Sequence, residues 1–448
     1  MAKKQSTTYV CDNCGSSFAT LYGRCPDCQE WHTLKEFKVQ NETSTNAPRY
    51  TSSSKNFDDP GFSSLDKFSS KQLDKDRISS GLPEMDRVLG GGFVRDEVIL
   101  LSGEPGVGKS TLLTTVLSSQ SVDSKHKVVY VSSEEAGSQI QARCERLGIQ
   151  TTNIFFSSQK NIEIVLKYLE ELVEKEKIGL LVFDSLQGLY TTDNNSLPGS
   201  ISQTREVLLR IVEFSKAKHI ASIVIGHITK DGDIAGPKFL EHMVDCVLFL
   251  EGEKNSDLRI LRSFKNRFGP TAEIGFFEMR EKGLVEVKNP SEFFLEWANS
   301  EVGKASIALR EGNRVVFATA EALVVSSSLA FPKRVAKGID HKRLELILAI
   351  LKKYLHLNVD KYDIYLNIAG GLKVSDPVAD LGIAACLYSS LTAKAFNPKY
   401  LFVGEVGLLG NIRKNNALSQ ISKEAKRLGF DKVYSQLQVK NITGLKQI

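Results

Sequence analysis

Apolar runs of strand length alternate with helix-patterned segments through the middle of this 448-residue chain. The run at 98–101 predicts a buried strand, and TLLTTVL after Ser110 predicts a helix. Further strand-like runs follow at 127–131, 180–184, 220–226, 244–250, 258–264 and 273–278. Helical patterning separates the earlier runs from one another, which predicts an α/β domain with a mostly parallel sheet and helices on both faces.

Composition divides the rest of the chain. Residues 38–76 are rich in Ser, Thr, Asn, Asp and Lys, so we expect a flexible linker between a small N-terminal module, 1–37, and the α/β domain, 77–290. Apolar, glycine-containing stretches predict a second α/β domain over 301–448. The chain has no apolar leader and no apolar run of membrane-spanning length, so we expect a cytoplasmic protein without membrane contact.

The segment between the first strand and its helix, GEPGVGKST, fits the phosphate-binding pattern G-x-x-x-x-G-K-[ST]. Its glycines let successive backbone N–H groups point at a polyphosphate. Lys109 supplies positive charge for the β and γ phosphates, and Ser110 supplies a hydroxyl for Mg²⁺. The sequence therefore predicts an ATP or ADP site formed by Gly103, Glu104, Pro105, Gly106, Val107, Gly108, Lys109, Ser110 and Thr111.

Two acidic residues lie at the ends of predicted strands. Asp184 ends the run LLVFD, where a carboxylate would hold Mg²⁺ through its water shell. Glu134 follows VVYVSS, where a carboxylate would orient and deprotonate the water that attacks the γ-phosphate. Because Glu135 is adjacent and acids are common near helix N-termini, the position of Glu134 alone is a weak signal.

Four of the seven cysteines lie within the first 28 residues, in the pattern C-x2-C-x10-C-x2-C. Two such knuckles place four thiolates around one tetrahedral Zn²⁺, and a complete four-cysteine shell predicts a structural metal. Two disulfides are the alternative, which a cytoplasmic chain disfavours. The expected zinc ligands are Cys11, Cys14, Cys25 and Cys28, whereas the scattered Cys144, Cys246 and Cys386 are expected in the core.

Positive charge is concentrated late in the chain. Residues 301–448 carry +10 and residues 1–300 carry −5, which fits a polyanion-binding surface, although a solvated basic face explains any single cluster as well. The segment KNRFG at 265–269 fits a phosphate or nucleic-acid contact, or a finger inserted into a neighbouring subunit. The polar loops 191–200 and 229–238 follow strands and are expected to be mobile. His227 ends its predicted strand at the nucleotide edge, where a structural role and a γ-phosphate sensor are both open.

The ordered set of motifs closely resembles the bacterial RadA/Sms family of RecA-like DNA-repair ATPases over nearly the whole chain. The matching segments are YVCDNCG…GRCPDCQEWHTL, RISSGLPEMDRVLGGG, YVSSEEAGSQI, IGHITKDGDIAGPKFLEHMVDCVLFLEGE, KNRFG and EVKNPSEFFL. The resemblance implies a zinc module, a RecA-type ATPase and a C-terminal domain similar to the Lon protease domain. It also implies nucleoid-associated homo-hexameric rings that act on single-stranded and branched DNA, promote branch migration and contact a RecA-type recombinase.

Carried onto this sequence, the resemblance makes Lys109 and Ser110 the nucleotide and Mg²⁺ residues, Asp184 the Walker B acid and Glu134 the general base. Lys265 would couple the nucleotide at a subunit interface to DNA, together with Arg267. The strand-end loops would line a DNA channel. The expected DNA contacts are Lys265, Asn266, Arg267, Phe268, Gly269, Lys230, Lys238, Lys333, Arg334, Lys337, Lys342 and Arg343.

The C-terminal domain resembles a Lon-type peptidase through VSDPVADLGIAA and LFVGEVGLLGNIR, but it lacks the catalytic pair. Val378 stands where the nucleophilic Ser belongs, and Ser419 stands where the Lys base belongs. Valine cannot attack a carbonyl, so we expect no proteolysis. The leading hypothesis is a DNA-stimulated ATPase motor. An ATP-dependent peptidase and a non-hydrolysing DNA scaffold assembled by ATP are the alternatives.

Overall fold

The computed structural model describes residues 7–11, 17–18, 20–26, 29, 31, 34–38, 77–122, 126–226, 239–252, 256–281, 283–295, 300–329 and 331–448. The chain divides into two compact units, Met1–Glu286 and Val287–Ile448. The boundary lies four residues before the end that the sequence predicts for the ATPase domain. Residues 287–295 belong to the second unit, where the Phe294 carbonyl accepts the Thr319 N–H at 2.8 Å. None of the described helices is both long and apolar enough to span a bilayer.

The N-terminal module contains a small antiparallel sheet. Its strands are β1 (Thr7–Cys11), β2 (Ser17–Phe18) and β3 (Leu34–Lys38), in the order β2-β1-β3. Cys11 and Cys25 are buried beside Leu34 in a cluster too small to form a core by itself. This arrangement places thiols where other small domains place their hydrophobic residues.

The first unit is organised by a nine-stranded sheet in the order β12-β11-β10-β9-β4-β8-β7-β5-β6. Strands β4 to β9 run parallel, and β10 to β12 extend the sheet with antiparallel pairings. The strands are β4 (Val98–Gly103), β5 (Lys127–Ser132), β6 (Ile154–Ser157), β7 (Ile178–Asp184), β8 (Ala221–Ile225), β9 (Cys246–Gly252), β10 (Leu258–Asn266), β11 (Ile274–Arg280) and β12 (Gly283–Glu286).

Helices cover both faces of this sheet and enclose two hydrophobic clusters. They are α1 (Pro83–Leu89), α2 (Lys109–Val122), α3 (Gly137–Arg146), α4 (Ile162–Lys175), α5 (Ile201–Lys218) and α6 (Phe239–Met243). Strands β4 and β7 are buried along their whole length because both of their faces meet helices. The predicted parallel α/β architecture is confirmed, including the three later runs that extend the sheet.

The second unit has a six-stranded mixed sheet in the order β15-β16-β14-β13-β17-β18. Its strands are β13 (Lys304–Glu311), β14 (Arg314–Ser326), β15 (Arg334–Lys337), β16 (Tyr362–Ile368), β17 (Tyr400–Phe402) and β18 (Lys432–Tyr434). Its helices are α7 (His341–Leu355), α8 (Asp380–Thr392) and α9 (Leu418–Arg427). Val378 is fully buried in the core of this unit, and Ser419 is exposed on α9, so neither side chain forms a nucleophile–base pair.

Candidate active site

The phosphate loop connects β4 to α2 and can be built only with glycine at two positions. A Cβ atom on Gly103 would lie 2.5 Å from the carbonyl oxygen of Leu250. Gly108 has a φ of +111°, and a Cβ there would lie 2.6 Å from the Cε of Met279. These close approaches fold the backbone into a tight cradle at the carboxyl end of β4, immediately before the N-terminus of α2.

Lys109 is 5 % exposed, and its ammonium group lies over the loop itself. Its Nζ donates to the carbonyl oxygens of Gly103 at 2.9 Å and Glu104 at 3.0 Å. Burial lowers the pKa of Lys109, whereas the carboxylates of Asp184 and Glu134 raise it. The ammonium group of Lys109 therefore lies beside two acids, at the position where a polyphosphate would replace the carbonyl contacts.

Asp184 lies at the carboxyl end of β7 and is 5 % exposed. One of its carboxylate oxygens accepts the hydroxyl of Tyr130, on the neighbouring strand β5, at 2.6 Å. Burial raises the pKa of Asp184, and hydrogen bonds from Tyr130 and Ser110 act in the opposite direction. The Ser110 hydroxyl and the Asp184 carboxylate thus lie together beside the loop, and both are oxygen ligands of the kind that Mg²⁺ prefers.

Two adjacent acids follow β5, and the structure gives them different partners. The carboxylate of Glu134 is exposed and accepts the hydroxyl of Ser185, the residue after Asp184. The carboxylate of Glu135 instead forms an ion pair with Arg143 of α3 at 2.5 Å. Glu134 therefore lies on the Asp184 side of the site, and Glu135 neutralises a helix arginine. The sequence leaves open which of the two acids serves the nucleotide site, and this difference in partners favours Glu134.

The KNRFG segment lies at the opposite end of the strands from the phosphate loop of the same chain. Along the β4–β9 pair, Ile99 is opposite Cys246 and Gly103 is opposite Leu250. Asn266, at the end of β10, is opposite Cys246. Four residues of strand separate the two ends, which corresponds to about 13 Å. This end of the strands cannot contribute to the nucleotide site of its own chain.

The two cations of KNRFG are held by intramolecular contacts. The Lys265 ammonium donates to the carbonyl oxygens of Glu241 at 2.6 Å and Val244 at 2.8 Å, at the carboxyl end of α6. Arg267 forms an ion pair at 3.1 Å with Asp245, which is 2 % exposed. Burial and the neighbouring Arg267 lower the pKa of Lys265. The segment is therefore anchored to the residues between α6 and β9.

The other members of KNRFG pack against the end of α1. The Asn266 side-chain amide donates to the Leu89 carbonyl at 3.2 Å, and a Cβ on Gly269 would lie 2.7 Å from the same oxygen. The Phe268 carbonyl accepts a hydrogen bond from Arg77. These contacts make the motif part of the fold as well as a candidate interface.

Loop 191–200, which we expected to be mobile, is tied down by one buried side chain. The amide nitrogen of Gln203 donates to the carbonyl oxygens of Thr191 at 3.1 Å, Asn194 at 2.6 Å and Ser196 at 2.9 Å. Leu197 is 80 % exposed at the tip. The expectation of mobility is therefore not supported by these contacts. Loop 229–238, with Lys230 and Lys238, and the preceding His227 lie outside the described residues.

Two of the four predicted zinc ligands, Cys11 and Cys25, are described, and both are buried. The Gln29 N–H closes a turn by donating to the Cys25 carbonyl at 2.9 Å, and Gln29 has a φ of +61°. Cys14 and Cys28 lie outside the described residues. Buried thiols beside a tight turn fit a zinc knuckle. The three scattered cysteines, Cys144, Cys246 and Cys386, are buried as predicted.

The five basic residues predicted to contact DNA in the second unit fall into two groups. Lys333, Lys337 and Lys342 are exposed. Arg334 donates to the Val359 carbonyl at 2.7 Å, and Arg343 forms a 2.6 Å ion pair with Asp380, whose side chain is 6 % exposed. These two arginines hold parts of the second unit together, whereas the three lysines are exposed, and DNA contact by all five stays a prediction.

Sequence reasoning missed three residues at the site. In the sequence, Tyr130 is one of several apolar positions of a predicted strand, and Ser185 is a polar residue that follows a predicted strand. Arg259 of β10 donates to the phosphate-loop carbonyl of Val107 at 2.9 Å, from 152 residues away. The LLVFDS string contained a signal for Ser185, since this serine directly follows Asp184, the acid predicted to hold Mg²⁺. The other two depend on sheet register and had no local signal.

Three family models match this chain. The KaiC ATPase model matches residues 78–290, the rubredoxin metal-binding domain model matches residues 9–36, and the model of subunit ChlI of Mg-chelatase matches residues 337–435. A solved KaiC-like protein from Pyrococcus horikoshii is 21% identical and aligns with a TM-score of 0.40, covering 47% of this chain and 98% of that one.

Curated relatives match over almost the full length. The DNA repair protein RadA of Bacillus subtilis is 39% identical over 435 residues, which is 97% of this chain and 93% of that protein. The proteins of the same name from Brucella abortus and Aquifex aeolicus are 40% and 41% identical, and they cover 98% and 96% of this chain and 93% of their own lengths.

Proposed function

This chain belongs to the family of DNA repair proteins RadA, and we propose that it is a DNA-stimulated ATP hydrolase that works as a hexameric motor. Its substrates would be single-stranded and branched DNA, and its product would be a migrated branch of a recombination intermediate. The observation that carries the hydrolase assignment is the convergence of Lys109, Asp184 and Glu134 at the end of the parallel strands. A scaffold that only binds ATP has no need of a base beside the phosphate loop.

The proposed chemistry follows from the positions of these side chains. Backbone N–H groups of the loop bind the phosphates, and Lys109 neutralises charge that moves to the bridging oxygen during cleavage. Ser110 and Asp184 would hold Mg²⁺, which supplies charge neutralisation between the β and γ phosphates. Glu134 accepts a proton from the attacking water, and the Ser185 hydroxyl keeps its carboxylate on the Asp184 side of the site.

The motor assignment is supported by the position of KNRFG. The segment lies at the end of the strands opposite its own phosphate loop. Lys265 and Arg267 can therefore act on a nucleotide only if that nucleotide belongs to another subunit. A closed ring supplies such a neighbour for every subunit. We therefore propose that ATP hydrolysis requires assembly of the ring. Lys265 and Arg267 would couple the nucleotide state of one subunit's site to the neighbouring subunit.

The DNA assignment is supported by charge. The second unit contains residues 301–448 and with them their net charge of +10, and Lys333, Lys337 and Lys342 are exposed. In a ring, the positive charges of all the subunits would add up. DNA binding by such a surface would weaken as the salt concentration increases. The zinc module would serve a recombinase partner rather than catalysis, because a complete cysteine shell leaves no open metal position.

The deciding experiment measures ATP turnover with and without single-stranded DNA, together with unwinding of a forked duplex. We expect turnover that DNA stimulates, loss of turnover in Lys109→Ala, and turnover without unwinding in Lys265→Ala. ATP binding without DNA-stimulated turnover would instead support the scaffold. Unwinding at the wild-type rate by Lys265→Ala would refute the coupling role of KNRFG. Casein degradation would support the peptidase.

A further inference from the structure

The carboxylate of Glu134 needs an external support, because the residue lies in the exposed turn between β5 and α3. A general base works only when its oxygen is within hydrogen-bond distance of the proton that it accepts, so a freely rotating glutamate would spend little time in position. We propose that Ser185 is the positioning residue of this site, because its hydroxyl holds the Glu134 carboxylate for proton abstraction. The inference rests on the proposed hydrolase function and adds a residue that acts through the base.

Ser185 is suited to this role by its own rigidity. It is fully buried, directly follows Asp184, and donates its hydroxyl hydrogen to Oε1 of Glu134. Because the Ser185 hydroxyl is buried, its hydrogen bond holds the Glu134 carboxylate, which lies on an exposed turn, in one place.

A second serine fixes Ser185 in turn. The Oγ of Ser133 accepts the Ser185 N–H at 3.0 Å and donates to the Ser185 carbonyl at 2.9 Å. The Ser133 N–H also donates to the Asp184 carbonyl at 2.7 Å. We name this set of contacts between Ser133 and Ser185 the serine clasp. It joins the ends of β5 and β7, which carry the proposed base and the proposed metal-binding acid respectively.

The space around the clasp is as restricted as its hydrogen bonding. A Cβ atom on Gly188 would lie 2.2 Å from the Oγ of Ser133, so the chain after Asp184 passes directly over that hydroxyl. Neither serine can therefore move far without displacing the backbone that carries Asp184. The clasp sets the spacing between Glu134 and Asp184, which are 50 positions apart in the sequence.

The test uses the full chain with saturating Mg²⁺–ATP and single-stranded DNA. Ser185→Ala should lower kcat by about 10- to 100-fold, the factor expected for a hydrogen bond to a charged group. The KM for ATP and the Kd of a fluorescent ATP analogue should stay within about twofold, because the side chain of Ser185 acts on Glu134 and its backbone is bonded to Ser133. Ser222→Ala is the matched control: Ser222 is also fully buried, and its hydroxyl is bonded to that of Ser215, away from the site.

A double-mutant cycle separates positioning from a merely structural role. In the Glu134→Gln background, Ser185→Ala should cause no further loss of kcat, because the side chain it positions has already lost its base function. If Ser185→Ala folds poorly in thermal unfolding, Ser185→Cys keeps the size of the side chain with a weaker donor, and it should also lower kcat with unchanged KM.

The outcomes distinguish this inference from the proposed function. Wild-type kcat in a folded Ser185→Ala or Ser185→Cys variant, with Glu134→Gln inactive, would overturn the positioning role alone. Equal losses of kcat from Ser185→Ala in the wild-type and Glu134→Gln backgrounds would overturn it too. Wild-type turnover by Glu134→Gln would instead refute Glu134 as the base, and with it the function on which the inference rests.

Discussion

Glu97 offers a direct measurement of how a buried charge limits the stability of the ATPase domain. It immediately precedes β4, the strand that carries the phosphate loop, and is 1 % exposed. One carboxylate oxygen accepts the Val94 N–H at 3.0 Å. The other oxygen is buried and accepts no hydrogen bond from the described part of the chain. Replacing Glu97 with Gln keeps an acceptor for Val94 and removes the charge.

The size of the expected change in the free energy of unfolding follows from the pKa of Glu97, which burial raises from 4.5 to about 7. An acid with a raised pKa binds its proton more tightly in the folded state, so the contribution of Glu97 to stability is most favourable below the unfolded pKa of the residue. Stability then falls as pH rises from about 4.5 to about 7. The full loss above that window is about 3 kcal/mol. Glutamine does not ionise, so Glu97→Gln should recover most of this free energy at pH 8.5 and little of it at pH 5.

The assay is thermal unfolding of the full chain at pH 5, 7 and 8.5, followed by hydrogen exchange of the peptide that contains β4. Glu84→Gln is the control, because Glu84 is 5 % exposed but lies 3.8 Å from Arg87 and accepts the Phe276 N–H. We expect Glu84→Gln to lose stability at every pH. A Glu97→Gln variant no more stable than wild type at pH 8.5, or a difference that does not change with pH, would refute the reasoning.

Three further predictions concern single contacts. Tyr130→Phe removes the hydroxyl that Asp184 accepts at 2.6 Å, so the Mg²⁺ concentration for half-maximal turnover should rise about tenfold. Arg343→Met leaves the buried carboxylate of Asp380 without its 2.6 Å ion pair, so the free energy of unfolding should fall by about 3 kcal/mol, measured by denaturant titration. Cys11→Ser removes a buried thiol, so elemental analysis should find less bound zinc while nucleotide affinity is unchanged.

The Arg343 prediction has a matched control variant, and each of the three has an outcome that would contradict it. Lys342→Ala, next to Arg343 but exposed, should leave the unfolding midpoint unchanged and weaken DNA binding. Equal destabilisation by the two variants would contradict the structural role of Arg343. An unchanged Mg²⁺ requirement in Tyr130→Phe would mean that Asp184 needs no support from β5. Full zinc content in Cys11→Ser would remove Cys11 from the ligand set.

Most of the fold could be predicted because its information is local. Apolar runs bounded by polar residues located the parallel strands, and G-x-x-x-x-G-K-S located the phosphate loop between a strand and a helix. The short strands β6 and β12 were not predicted. β6 (IFFS) offers a run of only three apolar residues and β12 (GLVE) a run of only two large ones, shorter than the runs of the buried strands, because β6 and β12 lie at the two edges of the sheet.

The sequence alone determined which chemical groups this chain possesses: a lysine and a serine at the end of a glycine-containing loop, acids after two strands, paired cysteines, and a C-terminal domain without the Ser–Lys pair of Lon-type peptidases. Those properties depend on residue type and short spacing. Only the tertiary structure decided which groups act together. Strand register places Tyr130 and Ser185 beside Asp184 and Glu134, and it places KNRFG at the opposite end of the strands from its own phosphate loop. Such pairings join residues distant in sequence, and their energies exist only after the strands have paired.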